Sequence, residues 1–250
     1  NVISRSSREA ERKGDEVDPG ILAQLVPILV RREMPVIAAS FAVTQGEQLQ
    51  FWRERLLKYW PELDLSAQHF RWIGKDHLHL SIPSEFPIDT LEPLSGLPLA
   101  ELDLEGQEDI HDLGPLRGMP LTSLQLDGCI GITDLGPLSG MPLHTLDLTN
   151  LFRVTTLEPL RGLPLENLQL YNMKSVTDID PLRGMPLRDL SLSGMDQLRR
   201  IDALEGMPLR DLSLSDMDQL RRVDALDDMS LITLYLSSVT LDSYEPLASL

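Results

Sequence analysis

The sequence predicts an α/β solenoid: a curved, right-handed coil with one parallel sheet of about eight strands on its concave face, short 3₁₀ or turn segments on its convex face, and a helical amino-terminal cap. Three observations carry that expectation. An apolar-x-Pro/Ala-Leu phrase restarts every 22 residues, at Leu91-Glu-Pro-Leu94, Leu113-Gly-Pro-Leu116, Leu135-Gly-Pro-Leu138, Leu157-Glu-Pro-Leu160, Ile179-Asp-Pro-Leu182, Ile201-Asp-Ala-Leu204 and Val223-Asp-Ala-Leu226, with Tyr244-Glu-Pro-Leu247 arriving one residue early. Each unit also holds a Leu-x-x-Leu-x-Leu run, as in Leu99-Ala-Glu-Leu102-Asp-Leu104. The first 76 residues do not repeat and contain two stretches of helical periodicity. A fixed period of this length marks units that bury their apolar sides only by stacking, and parallel strands joined by crossovers coil right-handedly.

The elements follow in order. Residues 1–17 are polar and charge-dense without an apolar period, which reads as a tail or linker. Residues 18–76 read as the cap. Asp18-Pro19 starts one helix, with Ile21, Leu22, Leu25, Val26 and Leu29 on a stripe. Thr44-Gln-Gly-Glu47 has capping-box form before Leu49, Trp52, Leu56 and Trp60, and Pro61 closes that second helix. A helix of this kind, with Phe51, Trp52 and Trp60, suits a lid over the first turn of a coil; docking on another domain is the alternative. Phe70, Trp72, Leu78 and Leu80 lead into the first strand.

Residues 77–250 are the coil itself. In the unit from Leu99 to Pro120, Leu102 and Leu104 point to one side of an extended strand and Glu101, Asp103 and Glu105 to the other. Ile110, Leu113, Leu116 and Met119 then recur every three residues, which suits a 3₁₀ return leg with its apolar edge inward. Pro115 presets a turn dihedral, and Gly118 with Pro120 ends the leg. Strand leucines from Leu80/Ile82 to Leu234/Leu236 give eight strands.

These phrases resemble leucine-rich repeats. Ile132-Thr-Asp-Leu135-Gly-Pro-Leu138 resembles the turn phrase of bacterial internalin-type 22-residue repeats, and Pro-Leu-x-Gly-Met-Pro-Leu resembles repeats appended to large bacterial multidomain proteins, some of them serine/threonine kinases. Many members of the family place Asn three residues after the last strand leucine; that column here reads Gln107, Cys129, Leu151, Met173, Met195, Met217, Val239, so an asparagine ladder is not expected and a sulfur-rich, aliphatic stripe is. The resemblance implies a protein-binding scaffold.

Charge divides the chain. Residues 1–76 carry 11 basic and 11 acidic side chains, residues 77–250 carry 11 and 28, and residues 77–150 hold 12 acids against Arg117 alone. Such a surface repels phosphates, so no nucleic acid is expected as partner, and a protein with a basic surface is. No stretch approaches the 18 apolar residues of a membrane span. The single cysteine, Cys129, permits no intrachain disulfide and falls in the inward column. Cytoplasmic placement is the expectation, with a targeting segment or domain before Asn1 left open. At the other end Val239, Leu241, Tyr244 and Leu250 are expected near an open core edge, covered by a partner or further chain or made soluble by the serines around them.

None of the hydrolase, metalloprotease, dinucleotide, phosphate-loop or kinase motifs occurs, and no cofactor is implied. His77-x-His79 with His69 lacks a matched Cys or carboxylate pattern and reads as edge polarity rather than a metal site. The chain therefore reads as no enzyme but a binding module or subunit of a larger bacterial assembly. Its candidate partner-binding residues lie in the outward columns: Glu101, Asp103, Glu105, Gln125, Asp127, Asp147, Asn167, Gln169, Tyr171, Asp189, Asp211 and Tyr235. Phe152 joins Tyr171 and Tyr235 as an aromatic anchor. Arg199, Arg200, Arg221 and Arg222, in two near-identical units, form a secondary basic edge suited to a carboxylate-rich peptide or phosphate. The alternatives are a regulatory or sensing arm of a multidomain kinase or protease, and a secreted adhesin or effector.

Overall fold

The computed structural model describes residues 45–249. The expected tail, the helix beginning at Asp18-Pro19, Thr44 and Leu250 lie outside the described residues. The chain divides into two compact units, Asn1–Pro61 and Glu62–Leu250. In the first, α1 spans Gln45–Tyr59 with Trp52 and Leu56 buried. Phe51 packs its ring edge-on to Trp52 at 5.0 Å, and the Arg55 guanidinium lies 5.5 Å from the Trp52 ring centre. Trp60 N–H still bonds the Leu56 carbonyl at 2.8 Å, so the last helical turn runs up to Pro61, which cannot donate.

The second unit is a single sheet of nine strands in chain order. Eight of them are parallel: β2 (His77–Ser81), β3 (Leu99–Asp103), β4 (Ser123–Gln125), β5 (Thr145–Asp147), β6 (Asn167–Gln169), β7 (Asp189–Ser191), β8 (Asp211–Ser213) and β9 (Thr233–Tyr235). The ninth was not expected. β1 (Phe70–Ile73) folds back antiparallel on β2 through a tight turn at Gly74, pairing Phe70 with Leu80 and Trp72 with Leu78. It gives the first parallel strand a hydrogen-bonded neighbour in place of a bare edge.

From β3 onward the register advances by one unit per strand: Leu102, Leu124, Leu146, Leu168, Leu190 and Leu212 stand side by side, all buried. Each strand is short, and the second leucine of the pair falls just past it yet still points inward, as Leu104, Leu126 and Leu148 do. The return legs are three-residue 3₁₀ turns from Glu92–Leu94 through Asp224–Leu226, with a five-residue one at Glu245–Ser249. These turns stack on one another, and their terminal leucines fill the core from the side opposite the sheet.

Two left-handed residues per unit turn the chain around. One column reads Gly96, Gly118, Gly140, Gly162, Gly184, Gly206, Asp228 and ends each 3₁₀ leg. The other, directly past the strands, reads Gly106, Gly128, Asn150, Asn172, Gly194, Asp216, Ser238, all at φ between 55 and 77°. Glycine and, next best, asparagine tolerate that region. At Gly106 a Cβ would also lie 2.8 Å from that of Ser84. From Gly106 to Asp216 each amide of this second column bonds the turn ahead, as Gly106 N–H does to the Asp127 carbonyl at 2.7 Å, so the ladder continues beyond the strands.

The inward column three residues past the last strand leucine is filled as expected from Cys129 to Met217, all buried. Its first member behaves otherwise. Gln107 is buried, accepts the Ile88 N–H at 2.9 Å and donates to the carbonyls of Ile82, Pro83 and Phe86, supplying the bonds that an irregular first turn lacks. Side-chain laddering also exists, one column earlier: Asn172 Nδ2 donates to Asn150 Oδ1 at 2.8 Å, and Asn150 Nδ2 to Asp127 Oδ1 at 2.9 Å. In the last described turn Leu234, Leu236 and Val239 are only half-buried while Leu241 is buried.

Candidate functional site

The outward face of the strands is built from two parallel columns. The ladder sets Glu101, Ser123, Thr145, Asn167, Asp189, Asp211 and Thr233 side by side, and likewise Asp103, Gln125, Asp147, Gln169, Ser191, Ser213 and Tyr235. It therefore brings together Glu101, Asp103, Gln125, Asp147, Asn167, Gln169, Asp189, Asp211 and Tyr235 on one surface. Glu105, Asp127 and Tyr171 stand at its margin, where the chain leaves the strands. Tyr171, Tyr235 and Phe152 are exposed.

Polar side chains on this face are organised rather than free. His79 Nδ1 donates to Glu101 Oε2 at 2.9 Å and Ser81 Oγ to Asp103 Oδ2 at 3.1 Å, which extends both columns onto β2. Those two residues were not among the expected ones, although a 22-residue step back from Glu101 and Asp103 reaches them in the sequence. Asp103 Oδ1 accepts the Glu105 N–H, and Asp147 Oδ1 the Thr149 N–H, so each carboxylate also ties down the turn that follows it. Gln169 Nε2 donates to Asn167 Oδ1 at 3.2 Å. Farther along, the outward serine column turns partly inward: Ser193 is buried, shares a 2.7 Å hydrogen bond with Ser213 Oγ and accepts the Ser215 N–H.

Asp189 and Asp211 are direct ladder partners. Partial burial, the hydrogen bond with Asp211 and the negative charge of Asp211 hold Asp189 above the usual carboxylate range, with Arg210 and Arg188 pulling the other way.

The arginine edge is divided among local partners. Arg200 Nε pairs with Asp202 at 2.9 Å and Arg222 Nε with Asp224 at 2.8 Å, both exposed. Arg221 donates to the carbonyls of Asp218, Leu220 and Thr240. Arg199 lines an open, polar hollow with Thr177, Asp178, Asp180, Gln197 and Arg200, in which the acids oppose an anion. Arg200, Arg221 and Arg222 thus act mainly on their own turns.

His77 is exposed, His79 is engaged by Glu101, and His69 Nε2 lies 3.7 Å from Asp64. Among the described residues no group of histidine, cysteine or carboxylate side chains is arranged to hold a metal. Cys129 is buried, donates its S–H to the Leu104 carbonyl at 3.1 Å, and is pushed up to about 12, chiefly by burial. No helix among the described residues is long and apolar enough to cross a membrane.

The fold is that of a leucine-rich-repeat solenoid with 22-residue units. Two solved structures of similar fold are internalins of Listeria monocytogenes strain 4b F2365. Internalin C2 is 26% identical with a TM-score of 0.49, the match spanning 65% of this chain and 81% of that one. Internalin F is 23% identical with a TM-score of 0.48, spanning 65% of this chain and 55% of that one. No protein-family model and no curated protein matches the sequence.

Proposed function

We propose that the chain is a non-enzymatic protein-interaction module that engages a partner with a basic surface across the outward face of its strands. The observation that carries this reading is the face itself: a broad run of ladder columns from Glu101 to Asp211, in which Glu101, Asp103 and Asp147 are held in place by neighbouring side chains and backbone, with exposed Tyr171 and Tyr235 along it. A shallow polar surface with a few aromatic anchors suits a protein better than a small metabolite, which needs a deep apolar pocket. Acidic residues on such a face act chiefly on the rate of encounter.

The test places a photo-crosslinking side chain at Gln125 on the strand face and, separately, at Ser139 on the turn face, and then measures association with the purified protein captured. Crosslinking from Gln125 alone, with an on-rate that falls with added salt and with Glu101→Lys plus Asp103→Lys, is the expected outcome. Equal capture from Ser139, or an on-rate that the double reversal leaves unchanged in low salt, overturns it.

A further inference from the structure

Residues 185–200 and 207–222 are the same 16-residue phrase apart from Gly194 against Asp216. They lie one turn apart, so every side chain of one copy stacks on its own duplicate about 4.8 Å away across the ladder. For leucine on leucine that is favourable packing. For charged residues it sets like on like, which opposes strand pairing.

Four of the ten repeated charges have an opposite partner. Arg188 Nε pairs with Glu166 at 3.4 Å, Lys174 with Asp196 at 3.8 Å, and Arg200 and Arg222 with the aspartates two residues on. Asp189 and Asp211 have no such ion pair among the described residues. They are partly buried on the strand face, next to each other in register. Their surroundings offer little else. On β6 the ladder neighbour of Asp189 is the uncharged Asn167, and on β9 that of Asp211 is Thr233. Within their own strands, Ser191 and Ser213 are neutral. Arg188 and Arg210, one residue before each aspartate, are the nearby cations, and Arg188 is already shared with Glu166.

We propose that Asp189 and Asp211 hold one proton between them, giving the strand face a proton-operated charge at its duplicated turns. Two carboxylates in contact cannot both ionise without repulsion, and a protonated Asp189 becomes a hydrogen-bond donor to an ionised Asp211. Asp189 is the member whose ionisation is raised, first by desolvation and then by Asp211. A raised folded-state value means that the proton stabilises the fold below the ordinary aspartate range, and that this contribution is lost as pH rises through the raised value. Acidification within that window removes one negative charge from the face; alkalisation restores it. A basic partner takes the ionised form and displaces the proton. That corollary rests on the proposed strand-face interaction, whereas the proton sharing belongs to the free protein.

The experiment is a carbon-detected titration of the aspartate carboxyls in the full chain, for wild type, Asp189→Asn and Asp211→Asn, with thermal melts across the same pH range. The resonance missing from Asp189→Asn should titrate, in the wild type, above aspartate in a short blocked peptide. It should fall toward it in Asp211→Asn, whose amide donates to a Asp189 carboxylate. Asp189→Asn should also remove the relative gain in melting temperature that the wild type shows on mild acidification. Asp189 titrating together with the peptide aspartate, or unmoved by Asp211→Asn, overturns the proposal. A confirmed titration beside partner binding that ignores pH strikes only the corollary.

Discussion

The turns around β3 to β5 and the duplicated turns around β7 and β8 carry the same leucine frame but arrange charge in opposite ways. In the first region acids alternate with neutral polar residues across the ladder: Glu101 faces Ser123 and then Thr145, and Asp103 is separated from Asp147 by Gln125. On the strands Asp103 and Asp147 are thereby two ladder steps apart, about 9.6 Å, close to the screening length at physiological salt. In the second region Asp189 sits directly on Asp211. Residues 77–150 hold 12 acids against one base, while residues 151–250 hold 16 against 10, yet the electrostatic conflict lies in the less acidic part. Spacing along the ladder, rather than net charge, decides where the surface resists ionisation.

The strongest way to break the comparison is through the frame that both regions share. Leu124 and Leu190 occupy equivalent, buried places on β4 and β7. Replacing either by Asp leaves a carboxylate between stacked turns and should cost about 3–5 kcal/mol. Urea melts should show both variants far less stable than the parent. A mild effect at Leu190 alone would mean that the duplicated turns are loosely packed, and that the contrast between the regions is one of packing rather than charge.

A sharper contrast lies in the inward column. Gln107 serves four backbone groups in the first turn, whereas Met195 in the same column has only apolar contacts to make. Gln107→Leu should cost about 2–4 kcal/mol, because buried donors and acceptors lose their partners together. Met195→Leu should cost less than about 1.5 kcal/mol, being close to volume-conserving. Equal losses in denaturant melts would show that the column is read by volume alone.

These differences were legible in the sequence to unequal degrees. The leucine columns, the 22-residue step and the 3₁₀ legs follow directly from periodicity, since each residue type there answers to one requirement. The strand columns of the candidate site follow from the same register. β1 did not, because Phe70–Ile73 belongs to no repeat; the alternation of Phe70 and Trp72 with Gly74 in a turn was the available hairpin signal. The left-handed column past the strands is visible as Gly106, Gly128, Asn150, Asn172 and Gly194, one residue before the position where leucine-rich repeats commonly carry asparagine. The bonds of Gln107 depend on the non-repeating segment Ile82–Ile88, whose course no periodicity fixes. The register pairing of Asp189 with Asp211 was implied by the duplication, whereas their partial burial and the diversion of Arg188 to Glu166 required coordinates.

The smallest expected effect concerns how each region caps its 3₁₀ legs. Asp112 and Asp134 accept the N–H of Gly114 and Gly136 at 2.7 Å, and Thr90, Thr156 and Asp178 do the same for their own turns. In the duplicated turns this place is taken by Arg200 and Arg222, which reach the following aspartates instead, and the proline of the phrase has become alanine. A side-chain oxygen on a backbone donor substitutes for a bond that the turn lacks, so Asp134→Ala should cost about 0.5–1 kcal/mol by analogy with helix N-caps. Arg200–Asp202 is an exposed ion pair, whose two long side chains lose freedom for a gain that water and salt screen, so Arg200→Ala should cost less than about 0.5 kcal/mol. Raising the salt to 0.5 M, where screening is within about 5 Å, should erase the Arg200 effect and leave most of the Asp134 effect, because the latter depends on a short, directed hydrogen bond. Melting both variants at low and high salt separates the two mechanisms. If Asp134→Ala lost its cost in salt as Arg200→Ala does, the two kinds of cap would be electrostatically equivalent, and the regions would differ only at the strands.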